Sequence, residues 1–389
     1  MIGAGVFAAW APAARAAGDG LLIGLALAGL VAFCNATSSA QLAAVHPQSG
    51  GTYVYGRAQL GPFWGHLAGW GFVVGKTASC AAMALTIGTY LTPGTVRLTA
   101  IVAVVAITTV NLGGLSRTVA VTRVLLVVSL SALAVIVYTA VTFNDDAVLP
   151  GAKTGEADLG GVLQSAGFLF FAFAGYARIA TLGEEVRNPS RTIPLAIPIA
   201  LFGVLAVYGI VGVTMLDAVG AEGLASSAAP LRTVFGESDG GEWVVRIGAG
   251  IASLGVLLNL IPGVARTTMA MARNRELPAW FAHVDRDRHL PVRAETTVAF
   301  VTVVLVSTLT IRDSIAVSGV AILTYYGVTN AAALTLPETL RRWPRALAVS
   351  GLAGCSALAV SLPVSAVVGG VGVLGLGVVA GVVARRRQA

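Results

Sequence analysis

Charged residues are scarce in this sequence. Asp, Glu, Lys and Arg make up 11% of its 389 residues and hydrophobic residues make up 56%, whereas soluble domains carry about 25% charged residues. This balance excludes an ordinary soluble domain as an account of the whole chain. The net charge of +7 would suggest a nucleic-acid partner in a soluble protein. Here the uneven distribution of that charge between loops explains it, so we expect no nucleic-acid partner.

Cysteine and histidine are also rare. The 3 cysteines lie far apart within apolar runs, and the 4 histidines lie in or beside polar stretches without the spacing of metal ligands. We therefore expect no disulfide, no metal site and no cofactor. A membrane enzyme would need a cluster of acids, of His and Ser, or of metal ligands in or near the bilayer. The apolar runs contain no such cluster, so we expect no enzymatic activity.

Long apolar runs dominate the remainder of the sequence. About 20 apolar residues cross the hydrocarbon core of a bilayer as a helix, and a helix satisfies its own backbone hydrogen bonds in lipid. The sequence therefore predicts an all-α membrane protein of about 12 transmembrane helices with no soluble domain. The expected spans are residues 2–17, 20–45, 62–90, 96–112, 118–143, 161–182, 195–218, 243–272, 294–311, 315–336, 346–362 and 364–384.

Basic residues are distributed unevenly between the loops that join these spans. Most of the 25 Lys and Arg residues fall on the side of the membrane that also holds the C-terminus. Because cytoplasmic loops carry an excess of Lys and Arg, we expect a multi-pass protein of the cell membrane with its C-terminus in the cytoplasm.

The N-terminus opens directly on apolar residues. The residues that follow Met1 show no basic segment and no cleavage pattern, so this segment is not expected to be a signal peptide. We expect the native protein to begin upstream, by about 20 to 40 residues, because a half-span needs about ten residues and a short polar leader precedes it.

Two apolar runs are interrupted by glycine at corresponding places, residues 3–5 in the first span and residues 174–176 in the sixth. The second interruption lies five spans after the first. This pattern indicates a transporter built from two inverted five-helix repeats, whose discontinuous helices expose backbone groups near the midplane. The N–H groups at the start of a half-helix suit a substrate carboxylate. Ordinary packing of small residues is the alternative explanation.

Four segments resemble hallmark segments of the amino acid, polyamine and organocation (APC) permease superfamily. They are IGAGVF at residues 2–7, PQSGGTYVY at 47–55, GEEVRNPSRTIP at 183–194, and MARN at 271–274 followed by Leu277–Pro278. The resemblance runs in order over nearly the whole chain. It implies a five-plus-five inverted-repeat fold with broken first and sixth helices. It also implies a secondary active transporter that moves amino acids or related amines by alternating access.

The resemblance divides the chain into three parts. Residues 1–143 correspond to the first repeat, with a truncated first helix. Residues 144–336 correspond to the second repeat, and residues 337–389 to the last two helices and a basic cytoplasmic tail.

The resemblance also implies a substrate site. In such permeases the break of the first helix binds the substrate carboxylate through backbone amides, and the break of the sixth offers carbonyls to the substrate amine and an aromatic lid. The expected substrate-binding residues are Ile2, Gly3, Ala4, Gly5, Phe171, Phe173, Ala174, Gly175 and Tyr176. Phe173 or Tyr176 is the expected lid, with packing against lipid or other helices as the alternative for both rings.

The polar segment after the sixth span carries charges of both signs. Beside a substrate exit such charges form an ion-pair gate, although a solvated loop of this composition is the alternative. The gate candidates are Glu184, Glu185, Arg187 and Arg191 in this segment, together with Arg178 near the end of the sixth span. Many members of the superfamily place an acid where this chain has Ala177 and Arg178, so we do not expect a basic substrate side chain to be recognised there.

The coupling ion is suggested by two further positions. Many proton-coupled members carry lysine in the fifth helix, where this chain has Ser129, while Lys76 lies midway through the third span. A charged group at that depth costs about 2.5–3.5 kcal/mol, and a lysine removed from water exchanges its proton within the physiological pH range. We therefore expect proton-linked transport through Lys76. The alternatives are a sodium ion near Ser129, an exchange mode, and a structural lysine bonded to helix carbonyls.

Two other classes of protein compete with this hypothesis. An ion channel more often has a short re-entrant filter and rings formed by oligomerisation. A transporter of another solute class, built from two six-helix halves, would have a long central loop, whereas the segment between the sixth and seventh spans covers only residues 183–194.

Overall fold

The computed structural model describes residues 2–48, 50–113, 119–142, 158–176, 188–235, 241–285 and 290–386, and these residues are almost entirely helical. The helices are α1 (Gly5–Ala8), α2 (Trp10–Ala17), α3 (Leu21–Val45), α4 (Thr52–Leu60), α5 (Pro62–Leu91), α6 (Val96–Leu112), α7 (Val119–Thr142), α8 (Leu159–Phe173), α9 (Pro189–Ser226), α10 (Glu242–Arg273), α11 (Val292–Thr308), α12 (Ile311–Leu334), α13 (Arg345–Ser361) and α14 (Val364–Arg386).

Among the described residues, 8 helical stretches are long and apolar enough to cross a membrane. They are Trp10–Val45, Pro62–Leu91, Pro93–Leu112, Arg123–Thr142, Arg191–Ser226, Glu242–Arg273, Ile311–Leu334 and Val364–Gly381, and two shorter apolar helices are Leu159–Phe173 and Arg345–Ser361. The first of these stretches contains two helices, α2 and α3, because Gly18 turns the chain between them with φ 51°. The all-α membrane fold is therefore confirmed.

One segment differs from its expected structure. Residues 47–55 resemble a loop, but α4 begins within them at Thr52. Gly50 and Gly51 have φ of 135° and 57°, conformations that glycine adopts readily, and they turn the chain into the helix. The Thr52 N–H then donates to the hydroxyl of Tyr325 at 3.1 Å, which satisfies a backbone group at the start of α4.

Helix α9 is also longer than the expected span. It begins with Pro189, whose missing N–H is tolerated in a first turn, and continues past the expected end to a kink at Gly220 with φ 68°. The start of α4 depends on two glycine conformations, and the start of α9 depends on Pro189. Hydropathy does not detect either feature.

Helix α5 lies at the centre of the bundle. Of its most apolar 18 residues, 94% are buried inside the bundle. The corresponding share is 28% for the stretches that contain α6 and α14. Exposed apolar side chains such as Leu98 and Val102 on α6 suit contact with lipid chains. The central position of α5 brings its polar side chains to other helices rather than to lipid.

A buried polar cluster joins α3, α12 and α13. The amide of Asn330 donates to the Asn35 carbonyl oxygen at 2.6 Å, and the Cys355 thiol donates to the same oxygen at 3.3 Å. Gly351 allows this close packing, because a Cβ at that position would lie 2.6 Å from Asn330 Oδ1. The cluster therefore holds α3, α12 and α13 together.

Candidate functional site

The first interruption exposes the start of a short helix. The earliest backbone hydrogen bonds of α1 run from Val6 to the Gly3 carbonyl at 3.4 Å and from Phe7 to the Ala4 carbonyl at 3.0 Å. The N–H groups before these donors have no acceptor within the helix, as at every helix start, and no side chain caps them. Ile2 is half-buried, and Gly3, Ala4 and Gly5 are buried.

The two interrupted helices meet at backbone contact. A Cβ added to Gly5 would lie 2.7 Å from the Cα of Ala172 in α8, and one added to Gly3 would lie 2.5 Å from Cγ2 of Val256 in α10. The structure therefore brings residues 3–5 and the end of α8 together. Gly5 is required by this close approach, so packing explains that glycine directly.

The second interruption follows the end of α8 at Phe173, where the chain tightens into a 3₁₀ turn, Ala174–Tyr176. Two carbonyls at this point accept hydrogen bonds from distant side chains. The Tyr208 hydroxyl of α9 donates to the Ala172 carbonyl at 3.0 Å, and the Lys76 ammonium of α5 donates to the Ala174 carbonyl at 3.1 Å. Backbone groups freed by the break are thus partly satisfied by neighbouring helices.

Lys76 is buried, with 7% of its surface exposed. Its bond to Ala174 joins the expected coupling residue to one of the expected substrate-binding residues, a connection that the sequence did not indicate. A bond to a helix carbonyl was the structural alternative for this lysine, but the carbonyl belongs to the broken helix rather than to α5. The Lys76 ammonium therefore contacts the interruption directly.

Tyr90 connects α5 to the first interrupted helix in the same way. Its hydroxyl donates to the Phe7 carbonyl at 2.9 Å, and the two rings meet edge to face with centroids 5.9 Å apart. Tyr90 was not expected as a site residue. The sequence could have indicated Tyr90 through its spacing from Lys76. The two residues are 14 positions apart, which is about four helical turns and places both side chains on one face of α5.

The aromatic candidates of the sixth helix are packed inside the bundle. Phe173 is fully buried, and its ring meets that of Tyr208 at 5.1 Å with a T-shaped geometry. Phe171 is also buried, whereas Gly175 is exposed. The side chain of Tyr176, the other candidate lid, lies outside the described part of the structure.

The remaining candidates are separated from this contact. The Ser129 hydroxyl donates to the Leu125 carbonyl of its own helix at 2.8 Å, and Arg191 is exposed in the first turn of α9. The other gate candidates lie outside the described residues. These are Arg178, Glu184, Glu185 and Arg187.

These features define a multi-pass, all-α membrane protein with discontinuous helices, an architecture typical of secondary transporters. The sequence matches the amino acid permease family over residues 1–384, and the chain belongs to that family. The resemblance to the APC superfamily is therefore confirmed.

Three relatives agree with the family. An uncharacterized transporter of Mycobacterium tuberculosis is 53% identical over 98% of this chain and 87% of that protein. Cationic amino acid transporter 7 of Arabidopsis thaliana, a chloroplastic protein, is 27% identical over 78% of this chain and 57% of that protein. The branched-chain amino acid permease BcaP of Bacillus subtilis is 25% identical over 92% of this chain and 83% of that protein. The names of the family and of these relatives indicate a transporter rather than an enzyme.

Proposed function

We propose that this protein is a secondary active transporter that moves amino acids or related amines across the cell membrane by alternating access. Family membership supports the solute class, and the two interrupted helices support the mechanism. In this proposal residues 1–143 and 144–336 form the two inverted repeats, residues 337–389 add the last two helices, and the C-terminus is cytoplasmic.

The substrate binds between the two interruptions. The observation that carries this proposal is the backbone contact between Gly5 and Ala172, because it sets the N–H groups at the start of α1 beside the carbonyl groups at the end of α8. A zwitterionic substrate needs donors for its carboxylate and acceptors for its ammonium group, and the two helix ends supply one kind each. Phe173 or Tyr176 moves over the substrate as the site closes.

Coupling runs through Lys76. The protonated lysine holds the Ala174 carbonyl, as the 3.1 Å bond supports, and loss of the proton removes the charge that strengthens this bond. The substrate ammonium needs carbonyl acceptors from the same interruption. Substrate binding and the hydrogen bond from Lys76 to Ala174 therefore affect each other. The alternatives are a sodium ion near Ser129 and an exchange mode.

The expected substrate preference rests on the sequence after the sixth-helix interruption. With Ala177 and Arg178 after the sixth-helix interruption, the site does not favour a substrate with a basic side chain. We expect neutral amino acids to be taken up faster than arginine, lysine or polyamines.

Uptake of labelled solutes into proteoliposomes tests this function. Purified protein is assayed with neutral, acidic and basic amino acids and with polyamines, under a proton gradient and then under a sodium gradient at constant pH. Saturable uptake that an unlabelled amino acid accelerates from the opposite side supports a carrier. An ion current without saturable solute exchange would favour a channel, and saturable uptake of unrelated solutes alone would favour a transporter of another class.

A further inference from the structure

A second polar cluster lies where α4, the start of α5, the end of α10 and α14 come together. We call it the Glu276 cluster, and it consists of Tyr53, Arg57, His66, Asn274 and Glu276. Tyr53 belongs to the hallmark segment at residues 47–55 and Asn274 to the one at 271–274. The side-chain amide of Asn274 donates to the Tyr53 hydroxyl at 2.7 Å, so the cluster joins these two segments. Glu276 was not singled out in the sequence.

The end of α10 places Glu276 in this cluster. Arg275 adopts a left-handed conformation with φ 58°, which is unfavourable for a residue other than glycine. The Glu276 N–H then returns to the Met271 carbonyl at 2.9 Å, a bond typical of a Schellman helix end. The turn directs the Glu276 side chain inward, where it is 5% exposed.

Charged and titratable groups surround the Glu276 carboxylate. Its Oε1 atom pairs with the guanidinium of Arg57, and its Oε2 atom lies 3.5 Å from Nδ1 of His66. Burial and then the negative charge of Glu276 raise the pKa of Tyr53 to about 12, so this phenol stays protonated at neutral pH. The groups that face the His66–Glu276 pair are thus Arg57 and Tyr53 from α4, and a backbone carbonyl from α14.

That carbonyl determines which nitrogen of His66 carries a proton. The His66 Nε2 atom lies 2.7 Å from the Gly377 carbonyl oxygen of α14, and a carbonyl oxygen only accepts hydrogen bonds. Nε2 therefore carries its proton whatever the charge of the ring. In a neutral imidazole Nδ1 is then an acceptor, and it faces the carboxylate, which is also an acceptor.

A single additional proton resolves this conflict. Nδ1 of His66 and Oε2 of Glu276 are both buried and have no hydrogen-bond partner among the described residues, which is costly for buried polar atoms. One proton between them serves both. Since the Glu276 carboxylate already pairs with the Arg57 guanidinium, a proton on Nδ1 of His66 would place an imidazolium beside that carboxylate.

The same histidine anchors α14 to α5. Trp70 donates to the Val373 carbonyl at 2.9 Å, one turn of α14 away from the Gly377 carbonyl that His66 holds. Glycine permits this approach, since a Cβ on Gly377 would lie 2.1 Å from the Trp70 ring and one on Gly381 would lie 2.5 Å from His66 Nε2. The position of the His66 ring thus couples Glu276 to α14.

We propose that His66 and Glu276 form a proton-binding site that latches α14 to α5 and to the end of α10, so that loss of the proton loosens this end of the bundle. In the proposed orientation this end is cytoplasmic, and the latch makes transport sensitive to cytoplasmic pH. The effect on transport rests on the proposed function, whereas proton binding and its effect on stability do not.

Nitrogen-15 NMR of the full-length protein, labelled at histidine and held in lipid nanodiscs, tests proton binding. The His66 signals are identified by their loss in His66→Gln. We expect Nε2 to remain protonated from pH 5 to pH 9 while Nδ1 loses its proton within that range, histidine being the side chain that ordinarily titrates there. In Glu276→Gln the Nδ1 signal should depend on pH differently from the wild type, because the ring loses the carboxylate that faces it.

Two further measurements test the latch itself. The melting temperature should fall as pH rises in the wild type, and this fall should disappear in Glu276→Gln but persist in the matched control His46→Gln. Amino acid exchange at equal pH on both sides should speed up severalfold from pH 6 to pH 8.5 in the wild type. Gly381→Ala, which removes no titratable group, should give the fast rate at both pH values.

The outcomes separate the two proposals. A His66 Nδ1 atom that never carries a proton, or that titrates identically in Glu276→Gln, overturns the latch. If His66→Gln fails to fold, the comparison of Glu276→Gln with His46→Gln still decides. If no amino acid is transported, the proposed function fails, and the NMR and melting profiles decide the latch alone.

Discussion

The hydroxyl of Tyr90 donates a hydrogen bond to the carbonyl oxygen of Phe7 at 2.9 Å. Phe7 belongs to α1, the short helix that follows the first interruption. With Lys76 on the same face of α5, this bond makes one central helix a donor to both interrupted helices. Because α5 contacts both α1 and the end of α8, a movement of either helix changes a hydrogen bond to α5. Alternating access involves movements of this kind.

Tyr90→Phe tests that bond with little change in volume. The edge-to-face contact with Phe7 remains, and only the hydrogen bond is lost. Since such bonds within membranes are worth about 0.6 kcal/mol on average, we expect a small loss of thermal stability but a clear fall in the maximal uptake rate. Melting curves and uptake kinetics of purified protein measure the two effects. A variant with wild-type uptake kinetics would show that the bond has no part in the transport cycle.

Glycine substitutions in the first interruption should differ in severity. Gly5→Ala places a Cβ against the backbone of Ala172, whereas Gly3→Ala meets the side chain of Val256, which is able to rotate. We expect Gly5→Ala to lower stability and substrate affinity together, and Gly3→Ala to lower affinity with less effect on stability. Binding isotherms beside melting curves measure both.

The double variant Gly3→Ala with Val256→Ala provides a check on this explanation, because it removes the clashing methyl group. Gly369→Ala on α14 is the matched control, since nothing lies within 4 Å of a Cβ at that position. Equal affinity in Gly3→Ala, Gly5→Ala and Gly369→Ala would contradict a substrate site at the interruption.

The Asn35–Asn330 pair should act on stability alone. Asn330→Ala removes the donor at 2.6 Å from the Asn35 oxygen and leaves buried polar groups less satisfied, at a cost of about 1–3 kcal/mol. The pair joins α3 to α12 and includes no residue of either interruption. We therefore expect a lower melting temperature with unchanged substrate affinity, and an affinity change in a variant that still folds would place this cluster in the binding mechanism.

The sequence predicts the long helices well because bilayer thickness dictates their length. The expected span 96–112 coincides with α6, and the expected span 20–45 differs from α3 by one residue. Helix α4 was missed because it has only 9 residues and little apolar periodicity. Its start depends on two glycine conformations and on Tyr325, which is distant in sequence.

The site was only partly predictable, for a different physical reason. The glycine interruptions are local in the sequence, so residues 3–5 and 174–176 could be predicted as candidate site residues from the sequence alone. The bond from Lys76 to Ala174 joins positions 98 residues apart, and no local pattern specifies such a contact. Glu276 was missed because its inward direction depends on the left-handed conformation of Arg275, where the sequence has no glycine to signal a helix end.

In the proposed mechanism, Lys76 links proton movement to the sixth-helix interruption. Lys76→Met keeps a long apolar side chain but removes the donor to the Ala174 carbonyl. Lys153→Met is the matched control, because it makes the same chemical change at the only other lysine in the sequence.

The decisive measurement is the initial rate of amino acid uptake into proteoliposomes as a function of pH, with exchange at equilibrium measured alongside. We predict that Lys76→Met loses the pH dependence of net uptake while it retains exchange, and that Lys153→Met behaves as the wild type. A wild-type pH profile in Lys76→Met, or wild-type uptake that follows a sodium gradient at constant pH, would contradict the account.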